Sequence, residues 1–198
     1  MFKIVSKPMG IFETNCYIIY LPKGEVIVDP GMGATEWVMQ NVQNPLAILN
    51  THGHFDHVWS NNELQTKLKT LLYTPISDVF MLQNDPFGYG MPSSVPDFKV
   101  KEDEKIEIGG IWIEFIHFPG HTPGCSAIKI GDALFSGDFV FKDSIGRTDF
   151  PYSSPEDMKK SILKFLEIKE NLKVYPGHGE STSVKSEQKN LPSWLKYL

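Results

Sequence analysis

Residues 50–61 read NTHGHFDHVWSN, and His52, His54, Asp56 and His57 fall within six positions. The chain has six histidines in all, so half of them sit in this one stretch. A packed core has little use for a cluster of imidazoles, and a solvated loop gains little from one. Ahead of the cluster stands LAILN, residues 46–50, an apolar run of strand length. The histidines therefore leave the end of a strand. In a tight loop His52 and His54 can face one way and grip one ion, while Asp56 and His57 grip a second one beside it.

Single histidines recur later, each in a glycine-rich turn after an apolar run: His121 in FPGHTPGC and His178 in YPGHGEST. Asp138 sits likewise in FSGDF. Glycine lets the backbone turn sharply, so a side chain can leave a strand end toward a common centre. Five histidines and two aspartates are candidates for one site. Imidazole with carboxylate suits zinc, iron or manganese, and the absence of cysteine ligands argues against a closed structural zinc site.

The rest of the chain reads as layered α/β. Short runs rich in Ile, Val and Tyr at 2–6, 15–21 and 25–29 predict strands, with Pro22-Lys23-Gly24 as a turn. Residues 35–43 predict a helix capped by Thr35, with Trp37, Val38 and Val42 inward. Ser60 and Glu63 have capping-box spacing, and Trp59 and Leu64 that of a hydrophobic staple; Trp59 could alternatively narrow the mouth of the site. Residues 70–74 predict a strand and 75–82 a short helix. Gly109-Gly110 and Gly131-Asp132 predict two-residue hairpins. Ser154-Pro155-Glu156-Asp157 opens a helix with one apolar face. KVYP is a last strand, and residues 186–198 form a terminal helix. Residues 84–98 have no periodicity and hold three prolines and three aromatics. They are a lid or binding loop, with Phe87 and Tyr89 against substrate, or a surface crossover packed by its own rings.

Bulk properties narrow the class. The chain has 198 residues, 41% of them hydrophobic, which predicts a single domain over 1–198 with one sizeable core. The net charge is -5 and no Lys or Arg run exceeds two, which argues against a nucleic-acid partner. The N-terminus lacks a signal-like apolar stretch, and no run approaches the roughly 20 residues of a membrane span. A cytoplasmic protein without a membrane partner is expected. Cys16 and Cys125 lie in apolar strand-like runs and read as buried thiols. Nothing in the sequence assigns an oligomeric state.

The motifs THGHFDH, PGHTPGC, LFSGD and PGHG, with TNCYII and VIVDPG ahead of them, resemble the metallo-β-lactamase superfamily, and within it the glyoxalase II-like branch. The resemblance runs from about residue 14 to 180. It implies an αββα sandwich, two mixed β-sheets face to face with helices on the outer faces and the metal site at one edge. It further implies His52, His54 and His121 at one metal, Asp56, His57 and His178 at a second, and Asp138 bridging them. Two divalent ions are expected, zinc first, with iron or manganese as alternatives.

Such a pair lowers the pKa of a bridging water toward neutrality and polarises a carbonyl. The activity so implied is hydrolysis of a small thioester, ester or lactone by a metal-bridging hydroxide, with Asp56 and Asp138 catalytic as well as ligating. Related persulfide dioxygenases share the motifs but use a single iron, which would fall on His52, His121 and Asp138 here; they are the alternative reading. A β-lactamase fits the motif pattern less well. Glyoxalase II itself carries an added C-terminal helical domain that helps hold glutathione, and about 20 residues follow His178 here, so a glutathione thioester is not assigned. Arg147, in SIGRTDFP, could bind a substrate carboxylate bidentately; a local pair with Asp149 is the preferred reading. Asp29 either orients a ligand histidine or caps its own turn. His117 reads as structural.

Overall fold

The computed structural model describes residues 2–198. Alternation along one strand explains its layers. In β2 (Thr14–Leu21) Cys16 and Ile18 face one way while Tyr17, Ile19 and Leu21 face the other, and all five are buried. A strand with period two and two apolar faces must lie between two other layers. Tyr17, Ile19 and Leu21 join a core shared with the opposite sheet. Cys16 and Ile18 pack against helices.

The first sheet runs β1 (Lys3–Met9), β2, β3 (Gly24–Val28), β4 (Pro45–Leu49), β5 (Leu71–Pro75), β6 (Phe98–Val100). The second runs β14 (Thr182–Ser183), β13 (Lys173–Pro176), β10 (Ala133–Gly137), β9 (Ser126–Ile130), β8 (Ile111–His117), β7 (Lys105–Ile108). Both are mixed: β3, β4, β5 and β6 pair parallel, as do β10 and β13, and the other pairs are antiparallel. A ribbon of β11 (Val140–Phe141) and β12 (Ser144–Ile145) stands apart from both. Between the sheets, Val28, Leu49 and Tyr73 meet Ile113, Phe115, Ile128 and Phe135. Outside the first sheet lie α1 (Ala34–Asn41), α3 (Asn61–Leu68) and α4 (Val79–Asn84), through Val38, Leu64 and Leu82. Outside the second lie α5 (Pro155–Leu166) and α6 (Val184–Trp194), through Met158, Ile162, Phe165 and Leu191. The expected αββα sandwich is what the chain builds.

Strand direction, more than strand order, decides which loops meet. Parallel pairing makes β3, β4 and β5 end at the same edge. β8 is antiparallel to β9, and β9 to β10, so β8, β10 and β13 also share a direction. Bonds between the sheets join these ends: Asn15 N–H donates to the Gly177 carbonyl at 2.7 Å and Ser126 N–H to the Thr51 carbonyl at 2.9 Å.

Local readings hold where the chain decides them alone. Ile108 pairs with Ile111, and Gly109 and Gly110 take φ of 62° and 83°, as a type I′ hairpin needs. Ser154 caps α5 through Asp157 N–H, with Pro155 in the first turn. Cys16 and Cys125 are buried and free. Among the described residues no helix is long and apolar enough to cross a membrane.

Elsewhere tertiary partners override local rules. Gly33, in the left-handed region, precedes α1, and Thr35 instead donates to Glu63 Oε2 at 2.7 Å. The capping box is not formed, because Glu63 is engaged there and Ser60 Oγ donates to the Gly31 carbonyl at 2.6 Å. Trp59 packs with Leu64 in the outer core, as a staple would, and does not line the cleft. Residues 75–82 split into a 3-10 turn, Ile76–Asp78, and α4. Asp56 and His57 ride a short helix, α2 (Phe55–Val58), rather than a loop.

Removing the α5 cap tests the local reading. Ser154→Ala should lower stability by about 1 kcal/mol in urea unfolding without changing the slope. A loss below about 0.3 kcal/mol would mean that helix packing alone holds the turn.

Candidate metal centre

Each histidine of the opening cluster, and each of the later turns, arrives at the shared strand edge. His52 and His54 follow β4, His121 follows β8, Asp138 follows β10 and His178 follows β13. His52, His54 and His121 bring ligand atoms within 4.8 Å of one another, as do Asp56, His57 and His178. Asp138 touches both groups: its carboxylate lies 3.5 Å from His121 Nε2, 3.3 Å from His57 Nε2 and 3.4 Å from His178 Nε2. All seven predicted ligands therefore converge. His117 does not; its Nε2–H donates to the Pro123 carbonyl at 2.8 Å, a structural tie.

Hydrogen bonds outside the cluster fix which nitrogen faces in. A carbonyl can only accept, so the 2.8 Å contact of His121 Nδ1 with the Arg147 carbonyl places the proton on Nδ1. The 3.0 Å contact of His178 Nδ1 with the Phe12 carbonyl does the same. His57 Nδ1–H donates to Asp29 Oδ2 at 2.9 Å. Thr51 Oγ1 gives its proton to Asp29 Oδ2 at 2.6 Å, so at 3.0 Å it accepts from His52 Nδ1–H. Four imidazoles thus present Nε2 inward. The Nε2 atoms of His52, His54, His57 and His121, and Asp138 Oδ1, are buried with no hydrogen-bond partner. Buried polar atoms are rarely left so, and a cation is what such a set of acceptors would satisfy. Asp29, Thr51 and the two carbonyls are the outer bonds that metal-binding histidines generally need. Asp29, His52 and His57 also cluster, but the Asp29 carboxylate is taken by Thr51 and His57.

The charges agree. Burial pulls His54 down to about 3 and holds His52 and His121 below the usual imidazole range, so these stay neutral. Burial acts to raise Asp56 and Asp138, but His57 and His178 beside them win: Asp56 is held at about 2, helped by a 2.7 Å bond from Thr14 Oγ1, and Asp138 lies well below the carboxylate range. Burial likewise opposes charge on His57 and His178, yet the two carboxylates lift His178 to about 9 and His57 well above its ordinary value. Without a cation, protons on these two rings balance the two carboxylates.

Glycine permits the close approach. A methyl group at Gly177 would strike Asp138 Oδ1, and one at Gly146 the Asp138 carbonyl. A further carboxylate went unseen in the sequence. Asp78, buried, accepts from Gly53 N–H at 2.9 Å, Thr122 Oγ1 at 2.6 Å and Gly124 N–H at 2.6 Å. It ties the His52–His54 turn to the His121 turn. Burial raises its carboxyl to about 6 against those three donors.

Above the cluster opens a cleft of about 340 Å³. Phe87, Tyr89 and Arg147 line it, as the sequence suggested, and so do Phe12, Phe55, Phe141 and Phe150, which the sequence did not single out. Arg147 forms the local pair: Nε and Nη2 reach Asp149 at 2.8 and 2.7 Å.

A family model of the metallo-beta-lactamase superfamily matches residues 9–178. Hydroxyacylglutathione hydrolase GloC of Haemophilus influenzae is 31% identical over 201 residues, 93% of this chain and 94% of that protein. Among solved structures, BLEG-1 B3 metallo-beta-lactamase has a TM-score of 0.87 at 30% identity, covering 98% of this chain and 99% of that one. TTHA1623 in a di-iron-bound form has 0.84 at 29% identity, covering 96% and 99%. The chain belongs to the metallo-beta-lactamase superfamily.

Two outcomes are expected from these bonds and charges. Asp29→Ala leaves His57 Nδ1–H and two Thr51 donors unpaired, and should weaken zinc binding about 10–100-fold in chelator competition; unchanged affinity would remove Asp29 from the site's support. Zinc must also expel the protons on His57 and His178. Both are raised, so the protons are present at neutral pH and lost as pH climbs through about 9 at His178. Zinc affinity, corrected for the chelator, should rise from pH 6 to 9; a flat profile would contradict this.

Proposed function

We propose that the protein is a hydrolase with two divalent metal ions that cleaves a small thioester, ester or lactone. The observation that carries this is the set of inward acceptor atoms without partners. One ion is held by His52, His54 and His121, the other by Asp56, His57 and His178, with Asp138 between. The contacts of Asp138 with histidines of both groups support the bridging role. Zinc is the first choice; the likeness to a di-iron-bound neighbour keeps iron beside it.

Bound together, two such ions acidify a water and polarise a carbonyl oxygen. The chain's own residues do the rest. Asp138, in contact with histidines of both groups, would hold the two ions together, and Asp56 would take up the proton that the attacking water gives up. Thr14 donates to Asp56 Oδ2, the oxygen that faces His57 and His178, and so fixes the carboxylate's orientation at the cluster. The Nδ1 bonds hold the imidazoles in one tautomer, so none needs to reorganise during the reaction. The aromatic walls keep bulk water from a small substrate.

Both GloC, a hydroxyacylglutathione hydrolase by name, and BLEG-1, a β-lactamase by name, belong with acyl hydrolysis. The two-ion reading gives a partner to every unpartnered inward nitrogen, those of His54 and His57 included, where a single iron on His52, His121 and Asp138 engages only part of the set. We therefore prefer the two-ion hydrolase.

Elemental analysis after loading should give about two ions per chain, and the loaded protein should hydrolyse simple thioesters or lactones. Asp138→Ala should lower that rate at least about 100-fold and reduce the metal content. One iron per chain with oxygen uptake on a persulfide would replace this reading with the oxygenase. Turnover confined to a chromogenic β-lactam would replace the substrate class.

A further inference from the structure

The cleft's walls carry information that the metal centre does not use. Six rings line it, from separate parts of the chain: Phe12, Phe55, Phe87, Tyr89, Phe141 and Phe150. Three of them, Phe12, Phe55 and Tyr89, pack on one another. Tyr89 stacks on Phe55 at 3.9 Å between centroids, and Phe12 meets Phe55 edge-on at 5.1 Å. The rings reach the histidines themselves: Phe87 lies 5.2 Å from His54, Phe150 6.1 Å from His121 and Phe141 6.0 Å from His178. Anything that places a carbonyl at the cluster must therefore lie against aromatic faces.

The lining is as notable for charge. Arg147 is the one lysine or arginine among the described residues that line it. Its guanidinium is bound at two nitrogens by Asp149 and stacked 4.2 Å over Phe150. The nearby Lys142 is paired with Glu180 at 2.6 Å. The carboxylates that line the cleft, Asp56 and Asp138, belong to the cluster. A substrate with its own carboxylates, as a glutathione conjugate has, would lose their hydration along the walls and, among the described residues, meet no lysine or arginine there that is not already paired. A neutral apolar acyl group gains on every wall, and about 340 Å³ lies at the small end of the range for small-molecule sites.

We propose that the site selects uncharged esters and thioesters with an apolar acyl group, aryl or of about six to eight carbons, and discriminates against glutathione conjugates. This rests on the hydrolase reading and goes further in naming what the cleft accepts.

The test uses the full chain, loaded with zinc to a measured content, on acetyl, butyryl, hexanoyl, octanoyl and 4-phenylbutyryl thioesters of N-acetylcysteamine and on a hydroxyacylglutathione. Expected is a rise in kcat/KM of about threefold per added methylene up to octanoyl, with the hydroxyacylglutathione at least about 100-fold below octanoyl. Phe87→Ala and Tyr89→Ala, with zinc content checked, should each raise KM for the octanoyl thioester about tenfold and flatten the chain-length trend. A chain-length trend that is flat in the unmodified protein, or the hydroxyacylglutathione as best substrate, overturns the inference and leaves the hydrolase reading standing. If no probe is turned over, the hydrolase reading fails instead. Calorimetry with the matching ketones, a methylene replacing sulfur, then decides the cleft's preference: affinity that grows with chain length supports it, and affinity indifferent to length overturns it.

Discussion

A neutral imidazole has two nitrogens and one proton, and in a buried place both nitrogens need a partner. Around this cluster the protonated nitrogen is satisfied from outside, by the carbonyls of Phe12 and Arg147, by Asp29 and by Thr51. That leaves Nε2 atoms pointing at one another across a few ångströms beside two ionised carboxylates, with protons on His57 and His178 where a cation would sit. Such a hole is unfavourable for a protein alone and favourable for one that binds cations. The surrounding structure serves this arrangement. Parallel strands carry the ligands to one edge, glycines admit them at close range, and the docked sheets bring the two halves of the set together.

The ligands were legible because histidine at this density has few competing explanations. Their position at strand ends was legible too, since apolar runs stop at each motif. The strand at 15–21 and the capping signals of α5 were readable for a related reason: composition or partners within a few residues decide them. Asp78 was not readable. It sits in an unremarkable turn, and its donors lie 25 to 46 positions away. Asp29 has two roles open to it in the sequence, and the structure gives it the first: it accepts from His57 Nδ1–H, while its other donors are the N–H and hydroxyl of Thr51, 22 positions away, rather than its own turn.

The misreadings share one cause. Ser60, Glu63 and Thr35 have the right chemistry for capping, but each hydroxyl or carboxylate found a partner on another element. The aromatic walls were hidden in the same way. Phe12 and Phe55 look like core residues in a linear sequence, and only the meeting of a hairpin turn, a short helix and a loop makes them a surface. Sequence reports what a side chain can do; which neighbour it meets is a property of topology.

Phe12 supports His178 across 166 positions, and Asn15 ties to the carbonyl of Pro176 across 161. These are contacts of very high sequence separation, the kind whose loop-closure entropy makes them slow to form. During synthesis the first sheet emerges with THGHFDH already in place, but the remaining ligands come only with the second sheet. A complete chelating set therefore exists only in a chain that has been made through residue 178 and has docked both sheets. A cation bound by that set would favour the docked state over every earlier one, and would so act as a latch on the docking of the two sheets.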